Sequence, residues 1–368
     1  MNTRKELILH IGQYKTGSSS IQNFLIGYTD FLASKSAHYC RTGLLFNEPE
    51  IGIRHYKLTE NTETGDCLWD KLVDEINSSH SSKFIVSHEN MLFRLSEDNL
   101  TYIKQKLVNF DLKIVCYLRR QDKFMSSWYG EQVQNHHCCS NVSDFIRTYK
   151  LSCFYGSALK KWRQVFPDAV FEIHNFDTLI ANKQDVVRHF LGTSCIEVPI
   201  NYIDKRENAS MSGLAVSETL AFNRNISSDR AIHRGIANLF GKLFISEEKL
   251  SVFSNIEAEN FIKEFSAENE LLCDLFGFES PFFDNNFTDI TKTALDSPQF
   301  GIKLAQLINY SRNNISPSDI DTLRDSADII VETNPAQALN IMKVAQTLRP
   351  SGTYINKRVL EMSLKVKN

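Results

Sequence analysis

Residues 6–26 read ELILHIGQYKTGSSSIQNFLI, and the rest of the chain is interpreted outward from this stretch. The run from Leu7 to Leu9 is continuously apolar, which is typical of a strand buried on both faces of a parallel sheet. After Gly12 the sequence becomes polar, and apolar residues then recur at helical spacing from Ile21 onward. The stretch therefore predicts a buried strand, a polar turn and a helix.

The turn between this strand and helix has the composition of an anion-binding site. A helix N-terminus presents unpaired backbone N–H groups and the positive end of the helix dipole, which favour phosphate or sulfate. Gly17 allows the backbone to approach a ligand closely, and Lys15 adds a positive charge. The hydroxyl groups available to such an anion belong to Thr16, Ser18, Ser19 and Ser20.

The order of residues in the turn distinguishes it from a nucleoside triphosphatase loop. A Walker A loop, G-x-x-x-x-G-K-[ST], has its lysine directly after the second glycine. Here the order is K-T-G-S-S-S, so Lys15 precedes Gly17. This order resembles the 5′-phosphosulfate loop of sulfotransferases that use 3′-phosphoadenosine-5′-phosphosulfate (PAPS). Taken alone, the loop is equally compatible with another phosphate-binding loop or a plain strand-to-helix turn.

Length and composition limit the class of protein. A chain of 368 residues is long enough for one large α/β domain and a smaller piece, and its net charge of −3 gives no electrostatic case for nucleic acid as a partner. The N-terminal apolar run is too short for a secretory signal, and no stretch approaches the roughly 18 to 20 apolar residues of a transmembrane helix. Eight cysteines without a regular framework predict reduced thiols and a cytoplasmic location.

Further strands and helices are predicted to alternate along the chain, and the residues between positions 30 and 66 are expected to form loops and short elements. This alternation predicts an α/β fold: a P-loop-like, mostly parallel central sheet flanked by helices, with a helical C-terminal extension. The predicted strands are Lys83–Ser87, Lys113–Leu118 and Val170–His174, and the predicted helices include Asn99–Phe110, Ala158–Phe166 and Asp185–Leu191, the last closed by Gly192.

Polar residues directly after the second predicted strand are candidates for chemistry. Ligands of open α/β sheets bind beyond the carboxyl ends of the strands, and Ser87 is followed there by His88 and Glu89. The alternative for Glu89 is a structural acid that complements a helix dipole. His88 ranks behind Glu89, because histidines at such positions are more often structural.

A second phosphate-binding segment follows the strand that ends at Leu118. Arg119 comes at the strand end, and Ser127 stands eight residues later on the next predicted helix, so that both could hold one phosphate group. The segment YLRRQDKFMSSWY, from Tyr117 to Tyr129, is similar to the 3′-phosphate-binding segment of sulfotransferases. It is more closely similar to a bacterial branch in which R-R-Q-D is followed by S-x-Y. With both segments in this order, the chain resembles the PAPS-dependent sulfotransferases, carbohydrate-type bacterial branch.

The resemblance implies roles for individual residues. Lys15 and the loop N–H groups would stabilise charge on the departing phosphate, and Arg119 and Ser127 would hold the 3′-phosphate. Glu89 would be the general base, with His88 or the strand residue His10 as alternatives. After the last predicted strand, the resemblance implies that Lys205 or Arg206 reaches the 3′-phosphate.

The implied reaction needs no metal, and none is expected. The donor would be PAPS and the product 3′-phosphoadenosine-5′-phosphate (PAP). The acceptor would be a hydroxyl or amine, most naturally of a bacterial surface glycan or its lipid-linked precursor. The adjacent His136, His137, Cys138 and Cys139 are interpreted as a polar loop, since four consecutive residues do not readily converge on one ion.

The expected domain organisation is a sulfotransferase domain over residues 1–290 and a helical extension over residues 300–368. The first comprises a PAPS-binding core at about 5–200 and a helix-rich acceptor region at about 205–290. In the extension, a helix from Pro335 to near Pro350 resembles half of a tetratricopeptide repeat. A single such unit cannot bury its own face, so it is expected to pack on the core, a second subunit or a partner.

Two other functions remain open from the sequence. A kinase on a P-loop-like sheet would require a Mg²⁺ site and a lysine after the second loop glycine, and that lysine is missing. A catalytically inactive module that binds nucleotide and recruits partners would not need to retain Lys15, Gly17, Arg119 and Ser127.

Overall fold

The computed structural model describes residues 4–44, 52–60, 68–200, 202–203, 211–226, 230–246, 248–288, 290–295, 298–314 and 316–367. The contacts divide the chain into two compact units. The first consists of Met1–Trp128, Ser143–Ala209 and Val252–Thr291, and the second of Tyr129–Val142, Ser210–Ser251 and Lys292–Asn368. Residues 210–251, which were expected in the helix-rich acceptor region, belong to the second unit.

The first unit contains a five-stranded sheet in the order β2-β3-β1-β4-β5, and all of its pairings are parallel. The central strand β1 pairs with β3 on one side and β4 on the other, through contacts such as Leu9 with Val86 and with Ile114. The predicted parallel sheet is confirmed. Its strands are β1 (Glu6–Gly12), β2 (Ala37–Tyr39), β3 (Lys83–Ser87), β4 (Asp111–Leu118) and β5 (Val170–Asn175).

The connections between successive strands contain helices, and further helices follow the sheet in the chain. In chain order they are α1 (Ser18–Gly27), α2 (Thr29–Ser34), α3 (Leu68–Ser78), α4 (Met91–Arg94), α5 (Glu97–Leu107), α6 (Gln121–Asn135), α7 (Val142–Tyr149), α8 (Tyr155–Val165), α9 (Phe176–Ala181), α10 (Val186–Thr193), α11 (Gly213–Asn225), α12 (Arg230–Leu243), α13 (Asn255–Lys263), α14 (Ser266–Phe276), α15 (Phe300–Asn314), α16 (Pro317–Ile330), α17 (Pro335–Leu348) and α18 (Thr353–Lys367). Short 3-10 turns lie at Tyr56–Thr59 and Lys150–Cys153.

Two hydrophobic clusters cover the two faces of the sheet, which explains the apolar run in β1. Leu7 and Leu9 belong to the cluster that includes α3, α5 and α8, whereas Ile8 belongs to the cluster formed with α1 and α10. Successive strand residues point to opposite faces, so a strand covered on both sides needs apolar residues at every position. All three side chains are fully buried.

Three C-terminal helices of the second unit form a hydrophobic core of their own. Pro335 occupies the first turn of α17, and α18 begins at Thr353, which confirms the predicted helical extension. Ala338 and Met342 of α17 are buried against residues of α16 and α18 such as Ala327 and Ile355. The expected half repeat is thus accompanied by a further helix, and the three helices bury an apolar face together.

The region expected to hold loops and short elements contains the short helix α2 and the three-residue edge strand β2, which pairs with β3 through Ala37 to Tyr39. One local prediction was wrong. Gly192 does not close its helix, because Ser194 still donates its backbone N–H to the carbonyl of Phe190 and α10 continues to Thr193.

Candidate functional site

The turn after β1 leads into a helix whose start carries no side-chain cap. Gly17 is the N-cap residue with φ 81°, no side chain accepts from the first N–H groups of α1, and its first turn holds no acid. A Cβ atom on Gly17 would lie 2.8 Å from Cγ1 of Val186. The turn therefore presents the unpaired N–H groups and positive dipole end that bind an anion.

Gln13 organises the backbone of this loop. Its N–H donates to the carbonyl of Tyr117 at 2.9 Å, and its own carbonyl accepts from Thr16 Oγ1 at 2.6 Å and Ser18 Oγ at 3.2 Å. The hydroxyls of Thr16 and Ser18 thus stabilise the loop itself. Any hydrogen bond from these two residues to a bound anion would come from their backbone N–H groups. Ser19 and Ser20 are half-buried at the start of α1.

The side chain of Gln13 connects the loop to the end of β4. Gln13 Nε2 donates to Tyr155 Oη at 2.9 Å, and Gln13 Oε1 accepts from the N–H of Arg119 at 3.2 Å. Tyr155 Oη in turn donates to the carbonyl of Arg119 at 2.9 Å. Gln13 is almost fully buried, so this three-residue connection is shielded from water.

The guanidinium of Arg119 lies against the loop. Its Nη1 is 3.5 Å from the carbonyl oxygen of Lys15, and its Nε is 3.6 Å from Asp177 Oδ1. That Nε is buried and has no hydrogen-bond partner among the described residues. Burial lowers the pKa of Arg119, and the carboxylate of Asp177 opposes this change. The structure therefore brings the first and second predicted anion-binding segments together, with Asp177 beside the guanidinium of Arg119.

The neighbouring Arg120 has a structural role. Its guanidinium is fully buried and makes two hydrogen bonds to Asp122, at 2.8 and 2.9 Å, and two to Asp284, at 2.7 Å to the carboxylate and 3.0 Å to the backbone carbonyl. Ser126 is likewise committed, because its hydroxyl donates to the carbonyl of Asp122. Ser127, the predicted partner of Arg119, is half-buried on the second turn of α6.

Glu89 lies at the carboxyl end of β3, next to the start of the loop. A Cβ atom on Gly12 would be 2.8 Å from the carbonyl oxygen of Glu89, so only glycine fits there. Glu89 Oε1 is 2.8 Å from Arg54 Nη1, and Glu89 Oε2 accepts from Gln22 Nε2 at 3.0 Å. The carboxylate is 3% exposed, so it is anchored by one cation and one amide inside the protein.

Two neutral histidines flank this carboxylate. Burial lowers the pKa of His88 to about 3, with Arg54 and Arg94 contributing, and burial lowers the pKa of His10 to about 4. His10 Nδ1 is 2.8 Å from Ser87 Oγ. Buried polar atoms normally have hydrogen-bond partners. In this cluster the atoms without one among the described residues are both ring nitrogens of His88, His10 Nε2, Gln22 Oε1 and Arg54 Nε.

The fold thus gathers most predicted site residues at the carboxyl ends of β1, β3 and β4, where ligands of parallel sheets bind. Lys205 and Arg206 lie outside the described residues. Sequence reasoning missed Gln13, Gln22, Arg54 and Asp177. Asp177 could have been predicted, because it stands in an F-D-x-L segment that fits the sulfotransferase resemblance.

Neither a metal cluster nor a membrane-spanning helix is found in the described part of the chain. No three or more His, Cys, Asp or Glu side chains there are placed to hold a metal ion. His137 instead packs edge-on against His233, with ring centroids 5.0 Å apart. Among these residues, no helix is long and apolar enough to cross a bilayer.

Comparison with known proteins gives distant similarities. No protein-family model matches the chain. An uncharacterized protein of Archaeoglobus fulgidus is 29% identical over 175 residues, which cover 46% of this chain and 47% of that protein. The match thus spans about half the length of this relative. The crystal structure of a sulfotransferase from Alicyclobacillus acidocaldarius is similar with a TM-score of 0.36 and 14% identity, over 65% of this chain and 97% of that one.

Proposed function

We propose that the protein transfers a sulfuryl group from PAPS to a hydroxyl or amine of an acceptor. The observation that carries this proposal is the meeting of two anion-binding segments: the guanidinium of Arg119 lies 3.5 Å from the carbonyl of Lys15, beside the uncapped start of α1. A donor with phosphate groups at both its 5′ and 3′ positions requires two such segments close together. A nucleoside triphosphate, with its phosphates in one chain, does not.

The donor substrate fits the residues present. Its 5′-phosphosulfate would lie at the N-terminus of α1, where backbone N–H groups are available and Gly17 leaves no room for a side chain. Its 3′-phosphate would be bound by the guanidinium of Arg119, with Ser127 as a second donor. Asp177 and Gln13 would keep Arg119 in place.

The chemistry is an in-line displacement at sulfur. The acceptor oxygen or nitrogen forms a bond to sulfur while the bond from sulfur to the phosphate oxygen breaks, and PAP leaves with that electron pair. Lys15 and the loop N–H groups stabilise the charge that develops on the departing phosphate oxygen. Glu89 accepts the acceptor proton. The contacts with Arg54 and Gln22 hold the Glu89 carboxylate in one position at the end of β3.

The histidines are the alternative bases. Their lowered pKa values mean that His88 and His10 are neutral at pH 7 and able to accept a proton. They also mean that either imidazole is a weak base. We further propose that the acceptor is a glycan or its lipid-linked precursor in the cytoplasm, and that neither nucleic acid nor a metal takes part. A second copy or another partner would bind the C-terminal helices.

The test is calorimetric titration of the whole protein with PAP and, separately, with ATP and Mg²⁺. We expect PAP to bind and Arg119→Ala to weaken that binding at least about tenfold, because a charge-assisted phosphate contact is lost. Arg147→Ala is the matched control, since Arg147 is 80% exposed and pairs with Asp144 on its own helix. Tighter binding of ATP with Mg²⁺ than of PAP would favour a kinase, and PAP binding without transfer to any acceptor would favour an inactive module.

A further inference from the structure

Three aromatic side chains extend outward from the candidate donor loop. Tyr14, directly before Lys15, stacks on Trp128 of α6 with ring centroids 4.6 Å apart and planes 17° apart. Trp128 meets Tyr149 of α7 edge-on, at 6.1 Å and 86°. We name Tyr14, Trp128 and Tyr149 the aromatic wall.

The aromatic wall is fixed at its outer end and partly open to solvent. Tyr149 packs at 4.6 Å on Phe145, which is 2% exposed and therefore anchors α7. The three rings of the wall are each half-buried, and they do not belong to the two hydrophobic clusters that cover the sheet. Packing of the sheet thus does not explain why three large aromatic residues line up beside this loop.

We propose that the aromatic wall is the acceptor subsite and that it binds the apolar face of a sugar ring. This inference rests on the proposed sulfuryl transfer. A pyranose has C–H groups on its face and hydroxyls around its rim, so it can stack on an aromatic ring while its hydroxyls stay hydrated or reach neighbouring groups. Tyr14 directly precedes Lys15 in the chain, so one end of the wall belongs to the loop that would hold the group to be transferred.

The form of the wall favours a sugar over other flat ligands. A small phenol binds best in an enclosed, mostly apolar pocket, whereas these rings form a partly exposed surface. The adenine of the donor is the other flat group near the site. Tyr14 is three residues before Gly17, so the wall begins in the part of the loop between β1 and the anion-binding N–H groups. It extends from there to α7.

Intrinsic fluorescence provides a test that does not depend on turnover. The chain has three tryptophans, and Trp69 and Trp162 are fully buried, so a ligand on the wall should change the emission of Trp128. The whole protein is titrated with PAP, and then, at saturating PAP, with chitohexaose, cellohexaose and p-nitrophenol.

We expect at least one oligosaccharide to change the emission and p-nitrophenol to bind more weakly. Tyr149→Ala should weaken oligosaccharide binding about tenfold, as loss of a stacking ring does, and should leave the calorimetric affinity for PAP within about twofold. Trp128→Phe should keep most of the oligosaccharide affinity measured by calorimetry, and Trp128→Ala should not. Leu151→Ala is the matched control, because Leu151 is 76% exposed and two residues from Tyr149.

Two results would overturn the proposal. In the first, neither oligosaccharide binds. In the second, Trp128→Ala and Tyr149→Ala weaken the binding of PAP by the same factor as the binding of the oligosaccharide, which would assign the wall to the adenine of the donor. If wild-type protein does not bind PAP at all, the proposed function fails instead, and the oligosaccharide titration without PAP still tests the wall.

Discussion

A single buried amide, that of Gln13, connects the two halves of the candidate donor site. Its backbone carbonyl accepts hydrogen bonds from the hydroxyls of Thr16 and Ser18, and its side-chain oxygen accepts one from the N–H of Arg119. An amide carries both a donor and an acceptor, so it can satisfy Tyr155 and Arg119 at once, which neither a carboxylate nor an apolar side chain can do. The position of Arg119 against the loop thus depends on Gln13, a residue that touches no predicted ligand.

The catalytic role proposed for Glu89 gives a prediction that concerns a single residue. Glu89→Gln keeps the shape of the side chain and removes its ability to accept a proton, so transfer from PAPS to an oligosaccharide acceptor should slow about 10²-fold or more. PAP affinity should stay within about twofold, since the donor does not depend on this group. The measurements are release of labelled sulfate product and calorimetry.

Glu97→Gln serves as the control for that substitution, because Glu97 is exposed in the first turn of α5. If Glu89→Gln retained most of its turnover while His88→Gln or His10→Gln abolished it, the base would be a histidine and Glu89 a positioning residue for Arg54.

At the scale of elements, the start of α1 depends on one left-handed residue. Gly17 has φ 81°, and an added Cβ would be 2.8 Å from Val186 Cγ1. Gly17→Ala should therefore destabilise the protein by about 1–3 kcal/mol and weaken PAP binding. Gly27→Ala, at the other end of the same helix, meets nothing within 4 Å and should be neutral or stabilising by about 0.5–1 kcal/mol.

Urea denaturation and calorimetry of the two variants measure both effects. Val186→Ala combined with Gly17→Ala should recover the steric part of the loss but not the backbone strain. Equal stability of the Gly17→Ala and Gly27→Ala variants would contradict the account of the loop.

The elements that the sequence predicted well are those with a simple burial pattern. Lys83–Ser87 was predicted with its observed bounds, because an apolar run between polar turns has few other interpretations. The edge strand β2 was missed, since three residues around the polar His38 give no periodicity. Arg54 and Gln22 could not be predicted either. Their roles come from contacts with Glu89 made across 35 and 67 positions of sequence, and a local pattern does not record such contacts.

At the scale of the whole molecule, several buried histidines link stability to pH. Burial lowers the pKa of His10, His55 and His174 to about 4 and that of His88 to about 3. In an unfolded chain, the histidine side chain has a pKa of about 6.5. Between that pH and about 4 the unfolded chain binds protons that the folded protein does not, so stability should fall as the pH falls through this window, by up to about 1.4 kcal/mol per pH unit for each histidine.

The check is the urea midpoint measured at intervals from pH 7.5 to pH 4.5. His174→Gln should reduce the slope of stability against pH by the equivalent of about one bound proton. His80→Gln, at an exposed position, should leave that slope unchanged. A midpoint that stays constant over this range would show that these histidines bind protons in the folded protein as readily as in the unfolded chain.

The central place of β1 in the sheet has a consequence for how the protein acquires its structure. Glu6 of β1 pairs with Lys83 and Asp111, which lie 77 and 105 residues later in the chain. Closing contacts over such separations is slow compared with forming local helices such as α16 to α18. On the ribosome, β1 therefore has none of its partners in this sheet until β3 and then β4 have emerged. The candidate donor loop after β1 is anchored to Tyr117 and Arg119. It would therefore become ordered only after β4 has paired with β1.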